Sequence, residues 1–339
     1  MARISVIGAG AWGTALANVA ARAGHQVSLW AREPEVVSSI RVRRQNALFL
    51  PGVEVAEAVL PTGSFEEASA NASLILLVVP AQHIRATSAA MRPSLPTGLP
   101  IVICAKGIEA GTGALLSEVL AETLPGQPLG VLSGPTFARE VAVGLPTAVT
   151  VAATSPGIAE TVVSLLSGRS FRGYTSSDIA GTEVGGAVKN VVAIAAGITT
   201  GLGLGENARA ALVTRGLAEM VRFGVALGGR PETLMGLSGL GDLMLTCLSA
   251  ASRNTSLGME LAAGRSVQDV LASRRSVAEG VASAGSVLQR ARALGVEMPI
   301  VEAVHAVVSG NLSPAEAMGR LVERPFRPEW DAAVSPPRD

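Results

Sequence analysis

Charge, lysine, aromatic rings and cysteine are all scarce in this chain, and each scarcity removes a class of answers. Only 16% of the 339 residues are charged, and 27 basic side chains are balanced by 27 acidic ones. A zero net charge lacks the basic footprint of a nucleic-acid binder, so the expected partner is a small molecule. Aromatic residues make up 3% of the chain and hydrophobic residues 48%. That mixture is globular rather than disordered, and it implies a surface rich in small residues or partly covered in an oligomer, for which a homodimer is expected. The two cysteines, Cys104 and Cys247, sit in apolar runs with no Cys or His at ligand spacing. They read as reduced core thiols of a cytoplasmic protein, not as a disulfide framework or a metal site. No secretory leader is evident. The most apolar stretch, 191–205, holds four glycines and falls short of the roughly 18 residues a membrane span needs. The histidines His25, His83 and His305 stand without partners at catalytic or ligand spacing, so no metal chemistry is expected.

Lysine is the most telling scarcity. Of the 27 basic residues only two are lysine, Lys106 and Lys189, the other 25 being arginine. Guanidinium keeps its proton near neutrality whereas ammonium can give it up, so a sequence that spends arginine on ordinary surface charge marks its lysines as candidates for proton transfer.

What the chain does contain is periodic. From Arg3 to about Thr175, short apolar runs alternate with helical patterns, the mark of a parallel sheet covered on both faces. The strand candidates are 4–7, 27–30, 74–79, 101–104, 129–132 and 148–151. From about Asp178 the pattern becomes long Ala, Leu, Val and Gly helices, near 181–197, 207–228, 281–295 and 300–308. The expected fold is therefore α/β: an N-terminal Rossmann-type doubly wound sheet, 1–178, a C-terminal all-helical domain, 179–326, and a proline-rich loose tail, 327–339.

Gly8, Gly10 and Gly13 form Gly-x-Gly-x-x-Gly between the first strand and the first helix. The first glycine permits the turn, the second lets a pyrophosphate approach the backbone, and the third lets helix and strand pack closely. The backbone of Ala11 and Trp12 is expected to line the phosphates. At the end of the second strand stands Arg32 rather than an acidic residue, which suits a 2′-phosphate and favours NADP over NAD. The alternative is a surface pair of Arg32 with Glu33.

Lys106 follows the strand 101–104 at the carboxyl edge of the sheet, where open parallel sheets bind ligands. Lys189 lies within 185–190 (Gly-Gly-Ala-Val-Lys-Asn) on a helix without another charge between Glu183 and Glu206. The two consecutive glycines imply a close approach to that helix, by a nicotinamide ring or a neighbouring helix. Asp242 is similarly isolated after Gly239 and Gly241; it reads as a helix cap or as the carboxylate partner of Lys189. Burial would favour the neutral amine and the carboxylate the ammonium, two effects the sequence does not rank. Ser252, Arg253 and Asn254 open another helix, an anion site or an ordinary cap. Ser133, Gly134, Pro135 and Thr136 form a strand-end turn with a free hydroxyl.

Eight ordered segments, 8–13, 46–51 (Asn-Ala-Leu-Phe-Leu-Pro), 105–107, 133–138 (Ser-Gly-Pro-Thr-Phe-Ala), 185–190, 239–242, 252–254 and 277–280, together resemble the bacterial NAD(P)-dependent glycerol-3-phosphate dehydrogenase family over nearly the whole chain. The resemblance implies reduction of dihydroxyacetone phosphate to sn-glycerol 3-phosphate for phospholipid synthesis. It implies that Ala11, Trp12, Arg32, Lys106, Ala138, Arg253, Val277 and Glu279 touch the cofactor, with the glycine loop. It implies that Lys106, Gly134, Thr136, Lys189, Asp242, Ser252, Arg253 and Asn254 surround the substrate, with Lys189 transferring the proton. Ala11 and Trp12 stand where relatives carry Ser or Tyr, a change that backbone contacts survive. Two rival readings are a related reductase acting on a carboxylate such as ketopantoate, and a redox sensor that binds NADPH without turnover.

Overall fold

The computed structural model describes residues 1–273, 279–325 and 328–329. Two compact units emerge, the first comprising Met1–Lys106 and Leu115–Thr182, the second Gly107–Ala114 and Glu183–Asp339. The division is thus not a single cut near residue 178, because the short arm after Lys106 belongs with the helical unit. The expected tail, 327–339, lies outside the described residues except at 328–329.

The first unit carries one eight-stranded sheet in the order β3-β2-β1-β4-β5-β6-β7-β8. Its strands are β1 (Arg3–Ile7), β2 (Gln26–Trp30), β3 (Val59–Thr62), β4 (Leu74–Leu77), β5 (Ile101–Ile103), β6 (Leu129–Ser133), β7 (Thr147–Ala153) and β8 (Phe171–Ser176). Helices α1 (Ala11–Arg22), α2 (Pro34–Arg43), α3 (Phe65–Ser69), α4 (Ile84–Met91), α5 (Leu116–Thr123), α6 (Ala138–Val143) and α7 (Pro156–Leu166) connect them. The interior strands β1, β4 and β5 are almost wholly apolar and buried, as a sheet covered on both faces requires. The first six strands are parallel, but β7 runs antiparallel to β6 and β8 parallel to β7. A fully parallel sheet was the expectation; a short connection through α6 returns the chain beside β6 in the opposite sense, with no room for a full crossover.

The unforeseen strands are β3 and β8, and both are sheet edges. Strand β3 contains Pro61, which cannot donate to a ladder, and β8 has only Phe171 buried. Edge strands are where proline and polar residues are tolerated, so neither produces a continuous apolar run.

Apart from the arm, the regular elements among the second unit's described residues are all helical: α8 (Ile179–Gly201, begun at the end of the first unit), α9 (Gly205–Ala226), α10 (Pro231–Leu234), a π-helical turn (Leu237–Gly241), α11 (Asp242–Leu248), α12 (Arg253–Ala262), α13 (Val267–Ala272), α14 (Glu279–Ala293), α15 (Pro299–Val308) and α16 (Pro314–Val322). Helix α8 is longer than its sequence pattern suggested and, by length and hydropathy, could cross a membrane, yet 89% of its most apolar window is buried inside the protein. An all-round apolar helix of this kind is a core helix. The arm Gly107–Ala114 is fastened within the same unit, where Gln289 of α14 donates Nε2 to the Gly111 carbonyl at 3.1 Å.

One buried carboxylate shapes this unit away from the lysine. Glu219 of α9, 2% exposed, accepts the backbone N–H groups of Ile300 and Val301 at 2.7 and 3.2 Å. It thereby satisfies orphan donors in the first turn of α15. Burial pushes the Glu219 carboxyl up to about 7, although those hydrogen bonds and the nearby Arg222 and Arg324 favour its ionised form.

Candidate active site

In the first unit the loop between β1 and α1 is built by omission of side chains. A Cβ on Gly13 would lie 1.8 Å from the Gly8 carbonyl oxygen, whereas one on Gly10 would meet nothing within 4 Å. Gly8 has φ +116°, beyond easy reach of an L side chain. Gly13 therefore packs strand against helix, while Gly10 leaves open space at the helix N-terminus. Gly10 is the N-cap of α1 and contributes no side-chain cap. Open backbone at an uncapped N-terminus fits the pyrophosphate of a dinucleotide. Ala11 and Trp12 are the first residues of α1, and Trp12 is fixed by its indole N–H donating to the Cys104 carbonyl at 3.1 Å.

Lys106 lies just past β5 and is half-buried. Its Nζ donates to the Gly134 carbonyl at 2.9 Å and to Thr136 Oγ1 at 3.3 Å. The structure thus joins Lys106 with Gly134 and Thr136, residues proposed from two separate motifs. Of the two hydroxyls in this turn, that of Thr136 is engaged: besides accepting from Lys106 it donates to the Gly134 carbonyl at 3.1 Å, whereas Ser133 Oγ has no hydrogen-bond partner among the described residues. Ala138 begins α6 directly after this turn. Arg32 is 73% exposed in its side chain and pairs with Glu33 Oε1 at 2.8 Å, so the surface-pair geometry is the one adopted.

In the second unit Lys189 is 7% exposed, near the middle of α8. Its Nζ donates to Asp242 Oδ1 at 2.7 Å and to Thr246 Oγ1 at 3.0 Å. Asp242 itself is 1% exposed. A buried ion pair persists only when further hydrogen bonds satisfy it, and Thr246 meets part of that need by accepting from the ammonium, its own hydroxyl hydrogen going to the Asp242 backbone carbonyl at 2.6 Å. The capping reading of Asp242 fails. It is the first residue of α11, not its N-cap; Gly241 is the cap and the π-helical turn precedes it.

The close approach implied by the paired glycines is made by that turn. A Cβ on Gly185 would sit 2.4 Å from the Ser238 carbonyl oxygen, so the glycine lets the turn lie against α8 and bring Asp242 one helical turn further on, beside Lys189.

The triplet at α12 divides. Ser252 is its N-cap, accepting the Thr255 N–H at 3.2 Å, and Asn254 is buried in an amide chain: it donates to Asn190 Oδ1 at 2.9 Å and accepts the Gly280 N–H at 3.1 Å. Asn190 in turn donates to Glu279 Oε2 at 3.4 Å. Arg253 is exposed. Val277 lies outside the described residues. Thr246 and Asn190 were missed from the sequence, although Thr246 stands four residues after Asp242 on one helix face and Asn190 directly follows Lys189. Both cysteines are free and buried; burial pushes the Cys247 thiol up to about 12 and Cys104 further still, so neither supplies a thiolate nucleophile.

Comparison with known proteins finds two matching family profiles, NAD-dependent glycerol-3-phosphate dehydrogenase N-terminus over residues 3–159 and the corresponding C-terminus over 178–319. The chain is 55% identical to a glycerol-3-phosphate dehydrogenase (NAD(P)+) of Rhodospirillum rubrum over 96% of its own length and 93% of that protein. It is 53% identical to one of Parvibaculum lavamentivorans, over 96% and 98% of the two chains. The crystal structure of glycerol-3-phosphate dehydrogenase from Coxiella burnetii superposes with a TM-score of 0.92 at 39% identity, covering 95% of this chain and 99% of that one.

Proposed function

This chain belongs to the NAD-dependent glycerol-3-phosphate dehydrogenase family, and from that premise we propose that it interconverts dihydroxyacetone phosphate and sn-glycerol 3-phosphate, with Lys189 transferring the proton. The observation that carries the reading is the Lys189 Nζ, buried and held by Asp242 and Thr246, in a chain that keeps lysine at two positions only.

NADH or NADPH, when bound, supplies the hydride that reduces the ketone carbon. The Lys189 ammonium gives a proton to the forming alkoxide oxygen, and in the reverse direction the neutral amine takes it from the hydroxyl. Asp242 stabilises the charged amine, and Asp242 with Thr246 fixes where its Nζ stands. In the first unit Gly8, Gly10, Ala11, Trp12 and Gly13 hold the cofactor phosphates; Lys106, tied to Gly134 and Thr136, serves cofactor and substrate, and Ala138 borders the cofactor. In the second unit Arg253 takes the substrate phosphate, with Ser252 and Asn254 shaping the backbone around it, and Glu279 with Val277 meets the cofactor.

Preference for NADPH follows if Arg32 exchanges Glu33 for a 2′-phosphate, an inexpensive exchange because exposed ion pairs contribute only about 0–1 kcal/mol. A cytoplasmic homodimer supplying phospholipid synthesis is the setting we propose, supported by the low charge content and the reduced cysteines.

The test is the oxidation of NADPH and of NADH followed spectrophotometrically with dihydroxyacetone phosphate, with ketopantoate as the control. Turnover with the phosphorylated ketone and none with ketopantoate is expected. Tight NADPH binding without turnover of either would overturn the catalytic reading in favour of a sensor.

A further inference from the structure

The segment 46–51 has no role in the chemistry above, yet its first residue reaches into the cofactor loop. We propose that Asn46 is a positioning residue that, together with Thr14, sets the direction of the backbone donors in the glycine loop and thereby the affinity for the pyrophosphate of the cofactor. The inference rests on the reading of 8–13 as the dinucleotide loop.

Asn46 is 0% exposed and stands 37 and 32 residues from its loop partners Ala9 and Thr14 in sequence. Its Nδ2 donates to the Ala9 carbonyl at 2.7 Å and to Thr14 Oγ1 at 2.8 Å, and its Oδ1 accepts the Phe49 N–H at 3.1 Å. Both amide hydrogens are therefore used on the loop and its helix, and the oxygen is used on its own turn. Thr14 passes the constraint on: its hydroxyl accepts from Asn46 and donates to the Gly10 carbonyl at 2.9 Å.

Two consecutive peptide planes are thus held by side chains. In a trans peptide the C=O and the following N–H point in opposite directions. Anchoring the Ala9 carbonyl on Asn46 turns the Gly10 N–H away from Asn46, and anchoring the Gly10 carbonyl on Thr14 does the same for the Ala11 N–H. Gly10 is the residue whose Cα faces open space, so the two fixed donors lie at the helix N-terminus where a phosphate fits. Preorganised donors bind an anion without the cost of ordering the loop on binding. The far end of the segment is tied as well, since Arg139 of α6 donates Nη1 to the Pro51 carbonyl at 2.9 Å. The backbone that follows Asn46 is therefore braced within the first unit.

The test is equilibrium binding by calorimetry on the full chain, with NADPH, NADH, ADP-ribose and adenosine as probes, of which only adenosine lacks phosphate. Asn46→Ala is expected to weaken NADPH, NADH and ADP-ribose alike, by about 10- to 100-fold, and to leave adenosine within about twofold and kcat at saturating NADPH nearly unchanged. Thr14→Val, which keeps the shape and removes the hydroxyl, should weaken the same three by about 3- to 10-fold, and Thr14→Ser should restore wild-type binding. Thr14→Val carries the test if Asn46→Ala does not fold. A folded variant that binds ADP-ribose like the wild type, or loses adenosine equally, overturns the proposal. A wild-type protein that binds none of the pyrophosphate probes overturns the loop reading instead.

Discussion

The two units prepare for a ligand by opposite means. The first makes its surface from backbone, by leaving side chains out: Gly10 opens space and Gly13 admits the Gly8 carbonyl. The second does it by burying charge, with Lys189 and Asp242 both under 10% exposed and hydrogen-bonded to each other. A backbone surface recognises a shape shared by many nucleotides, and its chemistry lies in donors every residue possesses. A buried ion pair is chemically individual, costly to assemble, and suited to handling one proton.

The sharpest way to break this contrast is at Lys189. Lys189→Met should lower kcat by about 10² to 10⁴ while NADPH binding, measured by calorimetry, is kept. Because removing one partner strands Asp242 in the interior, Lys189→Arg is the companion variant; it retains the charge but not the transferable proton, and a near-normal kcat in it would reject the assignment. Next in size, Arg253→Ala should raise the KM for dihydroxyacetone phosphate by about 10- to 100-fold with a smaller change in kcat, and an unchanged KM would remove Arg253 from the phosphate site.

Within the first unit the two glycines should separate binding from folding. Gly13→Ala forces a methyl group into the Gly8 carbonyl and is expected to destabilise by about 1–3 kcal/mol or more, seen as a lowered Tm. Gly10→Ala meets no protein atom and should leave Tm within a few degrees while weakening NADPH; the reverse pattern would refute the division of labour between them.

The remaining expected effect is in the second unit and depends on pH. The Glu219 carboxyl stands at about 7 in the folded protein, against about 4.3 in an unfolded chain. The folded state therefore holds this proton more tightly, and the contribution of Glu219 to stability falls as pH rises from about 4.3 through 7, then levels. Thermal unfolding of Glu219→Gln compared with wild type at several pH values should show the variant free of that decline; parallel curves would contradict it.

The sequence exposed most of this where one physical signal dominated. Interior strands announced themselves as apolar runs, and the central core helix as a long apolar one, but β3 and β8 did not, since an edge strand satisfies fewer packing demands and can carry Pro61 or Arg172. The glycine loop was legible because its spacing is set by covalent geometry within six residues. The pairing of Lys189 with Asp242 was approachable through the isolation of both charges, 53 residues apart. Thr246 was not, because a threonine on a helix carries no mark until its neighbour is known. The π-helical turn and its seat against Gly185 were invisible for the same reason: the turn is imposed by tertiary packing, not by local preference.

The arm 107–114 has a practical corollary. A gene cut at the helical boundary would leave the nucleotide-binding piece trailing eight residues whose anchorage, Gln289, had been discarded, and would leave the remaining helices missing a strap they normally grip. Neither half is a contiguous cassette, so a chimaera made by swapping halves between homologues must exchange that strap together with the helices, or both products inherit a frayed seam.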